Sequence, residues 1–175
     1  MNLLPTLLQT VRKATDFNSA LNVALGHIGE LTSWDYGEVW IPNSEGTILQ
    51  LSPASYINTH KSRGCISALE QFRLCSQAFI LSPGVGLPGR VWRKQQPEWI
   101  CDVSVQSETY FLRHYIAKAF GVKTGFGVPI IADDRASAVL VFFMLSVRPE
   151  DKELIELVAK AVLELEVYCN VNELV

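Results

Sequence analysis

Two apolar segments near the C-terminal end constrain this chain most. Gly125 to Ala132 (GFGVPIIA) and Ala136 to Leu145 (ASAVLVFFML) are strong strand candidates, and Asp133-Asp134 joins them as a tight hairpin. A connection that short makes the two strands antiparallel. Pro129 predicts that its strand is irregular or bulged there. A second hairpin lies earlier: Tyr36 to Ile41 (YGEVWI) and Thr47 to Ser52 (TILQLS) read as strands, and Pro42, Asn43 and Gly46 supply turn chemistry between them.

Helices bracket these strands. Leu4, Leu7, Leu8 and Val11 follow helical spacing. Asp16 or Asn18 then caps a second helix that carries Leu21, Leu25, Ile28 and Leu31 on one face and ends near Ser33. The last helix is the cleanest. Pro149 opens it, and Glu150, Asp151 and Glu153 favour its N-terminus through the helix dipole. Its apolar row is Leu154, Val158, Ala161, Leu165 and Tyr168.

The centre is more broken. Residues 57 to 66 read as an exposed loop, and Ala68 to Ser76 as a short helix. Phe79 to Leu81 is a short strand. It is followed by a glycine-rich turn and a helix of about two turns beginning at Pro88. Pro97 to Val103 reads as a strand, and Tyr110 to Phe120 as a helix stopped by Gly121. Antiparallel strands with helices gathered on a face give an α+β sandwich.

At 175 residues with 49% apolar content, the chain is one domain with its own core. Lys plus Arg number 15 against 18 Asp plus Glu, for a net charge of −3, which argues against a strongly basic nucleic-acid binder. No apolar run approaches the ~18 residues of a membrane span. The N-terminus lacks a basic segment and Pro5 interrupts its first apolar stretch, so no secretory leader is read. The expectation is a cytoplasmic protein with reduced thiols. Cys65, Cys75, Cys101 and Cys169 form no Cys-x-x-Cys, and His27, His60 and His114 share no ligand spacing, so no metal is assigned.

Gly84-x-Gly86-x-x-Gly89 matches a phosphate-cradling pattern. The strand before it is short and the helix after it too brief for a nucleotide-binding unit, and the expectation is a turn that needs glycine dihedrals. No hydrolase motif and no carboxylate pair with acid–base spacing is present. The terminal helix has a second apolar row, Ile155, Val162 and Cys169, which is the candidate homodimer interface beside the plainer reading of a single face laid on the sheet.

Several segments together resemble a GAF domain: Trp34-Asp35-Tyr36-Gly37-Glu38-Val39-Trp40, Gly84 to Trp92, Gln96 to Val103, Gly125 to Ile131 and Ala138 to Phe143. The resemblance is greatest to the GAF domains of bacterial, especially cyanobacterial, sensor histidine kinases. It implies a helical extension over 1–14, a GAF domain over 15–168 and a tail over 169–175. It implies a central antiparallel sheet of five or six strands, PAS-like, with terminal helices on one face and a ligand pocket on the other. The implied role is a regulatory sensor of a two-component type system, with a histidine kinase or other effector as partner. It binds a small molecule non-covalently and relays through its terminal helices.

On the family's pocket elements stand Phe79, Trp92, Trp99, Tyr110, Phe111, Tyr115 and Phe126, with Cys101, Asp102, Arg113, His114 and Thr124 as polar contributors. A core filled by these same aromatic residues, and with it a ligand-free dimerisation or scaffold module, stays open. The cofactor is unassigned. Bilin-binding relatives carry a Cys-His pair where this chain has Leu112-Arg113, so a covalent bilin is not expected. Free methionine sulfoxide reductases of the same fold carry a nucleophilic cysteine in a run that here resembles Gly86-Leu87-Pro88-Gly89. Pro88 cannot replace a thiol, and the expectation is a protein without catalytic residues of its own; a divergent thiol reductase using Cys75 or Cys101, which nothing marks as activated, is the lesser alternative.

Overall fold

The computed structural model describes residues 3–172, with the side chains of residues 3, 4, 8 and 167–172 outside the description. Six strands form one sheet: β1 (Tyr36–Pro42), β2 (Leu49–Ile57), β3 (Ile80–Leu81), β4 (Glu98–Ile100), β5 (Thr124–Ala132) and β6 (Arg135–Met144). Their order is β3-β2-β1-β6-β5-β4, and every neighbouring pair is antiparallel. The β5–β6 connection turns on Asp133 and Asp134, both at positive φ (48° and 60°), the left-handed pair that a two-residue hairpin needs. The irregularity expected at Pro129 falls one residue later: Pro129 pairs with Val139, and the register slips between Ile130 and Ile131.

Three helices cover the first face: α1 (Leu3–Val11), α2 (Phe17–Thr32) and α6 (Lys152–Asn172). The Asp16 carboxylate accepts the Ser19 N–H at 2.8 Å and caps α2, and Ser33 ends it in the left-handed region at φ 61°. Asp151 does the same for α6 by accepting the Leu154 N–H at 3.0 Å. Leu7, Leu21, Leu25, Ile28, Leu154, Val158, Ala161 and Leu165 bury against Val39, Phe126, Val128, Ile130, Leu140 and Phe142 of the sheet. Val162 belongs to this same core at 1% exposure, and Ile155 packs against it. Val162 therefore gives no free dimer face, because α6 packs against both the sheet and α1, whereas Ile155 is only partly buried. Cys169 lies outside the described side chains.

The second face carries α3 (Arg63–Ser76), α4 (Gly86–Lys94) and α5 (His114–Phe120), with a 3-10 turn at Val103–Val105. Here the boundaries depart most from sequence expectation. α3 begins at Arg63, because the Ser62 hydroxyl caps it by accepting the Cys65 N–H at 3.2 Å. β2 runs on to Ile57, and Pro53 is accommodated where β2 passes Ser52, Pro53 and Ala54 against the single Val39 of β1. β4 is only three residues long. α5 starts at His114, since Tyr110 and Phe111 both donate their N–H back to the Ser107 carbonyl in a turn. Among the described residues no helix is long and apolar enough to cross a membrane.

Candidate functional site

Strand alternation builds the centre of the second face. In YGEVW, Tyr36, Glu38 and Trp40 point to one side and Gly37 and Val39 to the other. Gly37 leaves room for α2, since a Cβ there would lie 3.2 Å from Leu25 Cδ2 and from the Phe142 ring. All five residues of this stretch are buried, Glu38 included, at 0% exposure. A charge so placed needs a partner.

Arg113 is that partner. Its side chain is 2% exposed, and its guanidinium grips Glu38 with both ends: Nη2 donates to Oε1 at 2.6 Å and Nη1 to Oε2 at 3.1 Å. Nη1 also donates to Ser76 Oγ at 2.8 Å. Glu38 further accepts the Tyr36 hydroxyl at 2.9 Å and the Trp40 indole N–H at 2.7 Å. Its two oxygens thus accept four hydrogen bonds, the full capacity of an ionised carboxylate. Burial, and then the neighbouring Glu38 charge, push the Tyr36 hydroxyl well above its usual range, so it stays a donor. Four rings surround the guanidinium carbon, Trp40 and Phe72 at 5.1 Å, Phe143 at 5.3 Å and Phe111 at 5.6 Å. All lie within cation–π range. Phe143 meets Phe72 and Phe111 edge-on, which closes the box.

The segment between β4 and α5 straps this box. Arg90 of α4 pairs with Glu98 of β4 at 2.6 Å, donates to the Tyr110 carbonyl, and lies 4.1 Å from the Tyr110 ring centre. Asp102 accepts the Ser104 N–H at 2.9 Å and caps the 3-10 turn. The Thr124 hydroxyl lies within hydrogen-bonding distance of the Cys101 and Ser146 carbonyls, and accepts the Arg148 N–H.

The residues predicted for the pocket divide. Phe111 lines the box, and Phe79 and Trp92 are half-buried at the margin of the second-face core. Tyr110 belongs to the strap. Trp99 and Phe126 face the other way: paired across β4 and β5, they pack with Trp34 in the first-face core. Both faces of β5 are apolar, so alternation alone does not say which side is which. Tyr115 is 68% exposed and Cys101 is exposed, so neither points into the box. His114 is half-buried, its ring 3.8 Å from that of Tyr115, and its Nδ1 meets no hydrogen-bond partner among the described residues.

Arg113 is among the predicted polar contributors, and Glu38 is not. Its signal was an acidic residue on an otherwise apolar strand. The glycine-rich turn is structural: Gly84 and Gly86 have φ of +85° and +64°, and a Cβ on Gly89 would lie 2.5 Å from the Ser82 carbonyl oxygen. Among the described residues no three His, Cys, Asp or Glu side chains gather as a metal site.

A family model described as GAF domain matches residues 14–162. Protein NLP6 of Arabidopsis thaliana is 28% identical over 137 residues, which are 73% of this chain and 16% of that protein, so the match spans about a sixth of the relative's length. Among solved structures, the GAF domain of a phosphoenolpyruvate-protein phosphotransferase from Acinetobacter superposes with a TM-score of 0.72 at 14% identity, covering 99% of this chain and 93% of that one. A free methionine-R-sulfoxide reductase from Neisseria meningitidis, in complex with its substrate, gives 0.73 at 17% identity, covering 99% and 90%. At these identities the likeness is one of fold.

Proposed function

The chain belongs to the GAF domain family, and on that premise we propose that it is a regulatory input module whose second face controls the packing of its terminal helices. One observation carries the reading: the Glu38–Arg113 pair stands on the sheet face opposite those helices, and the same strand bears both contacts. Glu38 and Trp40 of β1 hold Arg113, while Gly37 and Val39 between them pack under α2. β6 repeats the arrangement, with Phe143 in the box and Phe142 in the helix-covered core. A shift of the pair bends strands that the helices lie on. On this reading the site is a small-molecule pocket in its closed state, filled by the chain's own side chain. The chain catalyses nothing itself, and a histidine kinase or other effector domain receives the signal.

Hydrogen exchange of the wild-type chain against Arg113→Met tests the relay. The expected result is faster exchange in α2 and α6 as well as in α3 and α5. A change confined to α3 and α5 would show that the two faces are uncoupled.

A second reading is a ligand-free dimerisation and scaffold module. It is supported by the filled box, and by Leu157 and Leu163 of α6, which are 39% and 56% exposed. Sedimentation over a range of concentrations tests it: a dimer that Leu163→Glu dissociates supports this reading, and a monomer throughout removes it.

A further inference from the structure

We propose that the box around Arg113 is a binding site for an organic cation of the guanidinium class, and that Arg113 is its tethered internal occupant. This rests on the reading of the second face as the input side and names its ligand chemistry.

The two halves of the ion pair are anchored very differently. Glu38, Tyr36 and Trp40 sit on β1, which is hydrogen-bonded to β2 on one side and β6 on the other. Phe143 sits on β6, between β1 and β5. Phe72 and Ser76 share one face of the 14-residue α3, where the Ser76 hydroxyl also donates to the Phe72 carbonyl at 2.7 Å. These groups form a rigid receptor. Arg113 instead ends a strap of turns and opens a seven-residue helix without a side-chain cap. It reaches the box on a flexible stem of three methylenes. The carboxylate is the fixed partner, and the cation is the one that can leave.

The receptor is matched to a planar fork rather than to any positive charge. Two carboxylate oxygens take the two ends of the guanidinium, the Ser76 hydroxyl takes a further N–H, and the four ring contacts suit a weakly hydrated, delocalised cation. Without a cation the box would hold a fully buried carboxylate with half its acceptor capacity unmet. A neutral molecule of the same shape can donate to those oxygens but leaves the buried charge uncompensated.

The test vacates the headgroup and offers it back. Arg113→Ala removes the atoms that ethylguanidinium restores. Ethylguanidinium chloride titrated into this variant is expected to raise its thermal midpoint by about 3 °C at ten times the dissociation constant, and with the logarithm of its concentration above that. Urea and sodium chloride at equal concentration are expected to give no such rise. Adding Glu38→Gln should weaken the response at least about tenfold, which corresponds to loss of one charge-assisted contact. An equal response to sodium chloride, or an undiminished response in the double variant, would overturn the site. If Arg113→Ala does not fold unaided, dilution from denaturant gives the readout. Near-ultraviolet circular dichroism recovered with ethylguanidinium but not with sodium chloride supports the proposal, and recovery with neither overturns it. In the wild-type chain agmatine must compete with the tethered group, so a weaker but saturable change in tryptophan fluorescence is expected, and no change up to the denaturing range would contradict displacement.

The two readings fail separately. Ethylguanidinium binding that leaves exchange in α6 unchanged keeps the site and removes the relay. An Arg113→Met variant with altered α6 exchange, but no cation response in Arg113→Ala, keeps the relay and removes the site.

Discussion

The two faces of one sheet are held in different ways. Beneath α1, α2 and α6 the contacts are nearly all apolar: leucine, isoleucine, valine and alanine on the helices, set against Val128, Ile130, Leu140, Phe142 and a stack of Trp34, Trp99 and Phe126. Such packing is non-directional and scales with buried area. On the other face the centre is one directed network, in which each group fixes its neighbours and every acceptor of Glu38 is used. A non-directional face tolerates small slides of its helices, whereas a directed network is either made or broken.

Breaking the network should give the largest effect. Arg113→Met strands a buried carboxylate and is expected to cost about 3–5 kcal/mol, read as a lowered urea midpoint. A loss below ~1 kcal/mol would mean that water reaches Glu38. The apolar face should respond to a cavity instead. Leu25→Ala, at a residue with no exposure, is expected to cost about 3 kcal/mol. Its cost should add to that of Arg113→Met to within ~0.5 kcal/mol if the faces are energetically independent, and a larger departure would measure their coupling. The strap should matter less. Arg90→Ala removes a pair whose side chains are 11% and 16% exposed, together with the Tyr110 contacts, and about 1 kcal/mol is expected.

The smallest effect contrasts one tyrosine from each face. Burial, then Glu30 and Asp35, push Tyr56 up to about 12, and burial, then Glu38, push Tyr36 in the same direction. Both fold-state values lie above that of the unfolded chain, so the folded state keeps its phenolic protons after the unfolded state has lost them. The stability these groups contribute is whole below about pH 10 and declines as pH rises from there toward about 12. Tyr56→Phe is expected to flatten part of that alkaline decline in a series of urea titrations. An unchanged slope would place the Tyr56 hydroxyl in solvent.

The architecture was legible wherever the signal is local. The Asp133-Asp134 turn, the Asp16 cap and the row Leu154, Val158, Ala161, Leu165 each lie within a few residues of the structure they specify. The box was not, because Glu38 and Arg113 are 75 residues apart, and an acidic residue on an apolar strand does not say which distant cation it meets. Phe126 faces the side opposite to expectation because a strand buried on both faces carries no alternation to orient it, and Trp99 lies on a strand too short to show any. Val162 looks like an interface residue for a similar reason: a helix packed against both a sheet and another helix buries part of its second row, and a sequence shows two rows without showing what covers them.

The most direct test of this account is a double-mutant cycle on Glu38 and Arg113, with Glu38→Gln, Arg113→Met and the two combined, read as unfolding free energies in urea. If the second face is one directed network, each single change is strongly destabilising and the double variant loses little more than either alone, giving a coupling of about 3 kcal/mol or more. Two small and additive losses would contradict it, and would make the second face an ordinary apolar core with an incidental ion pair.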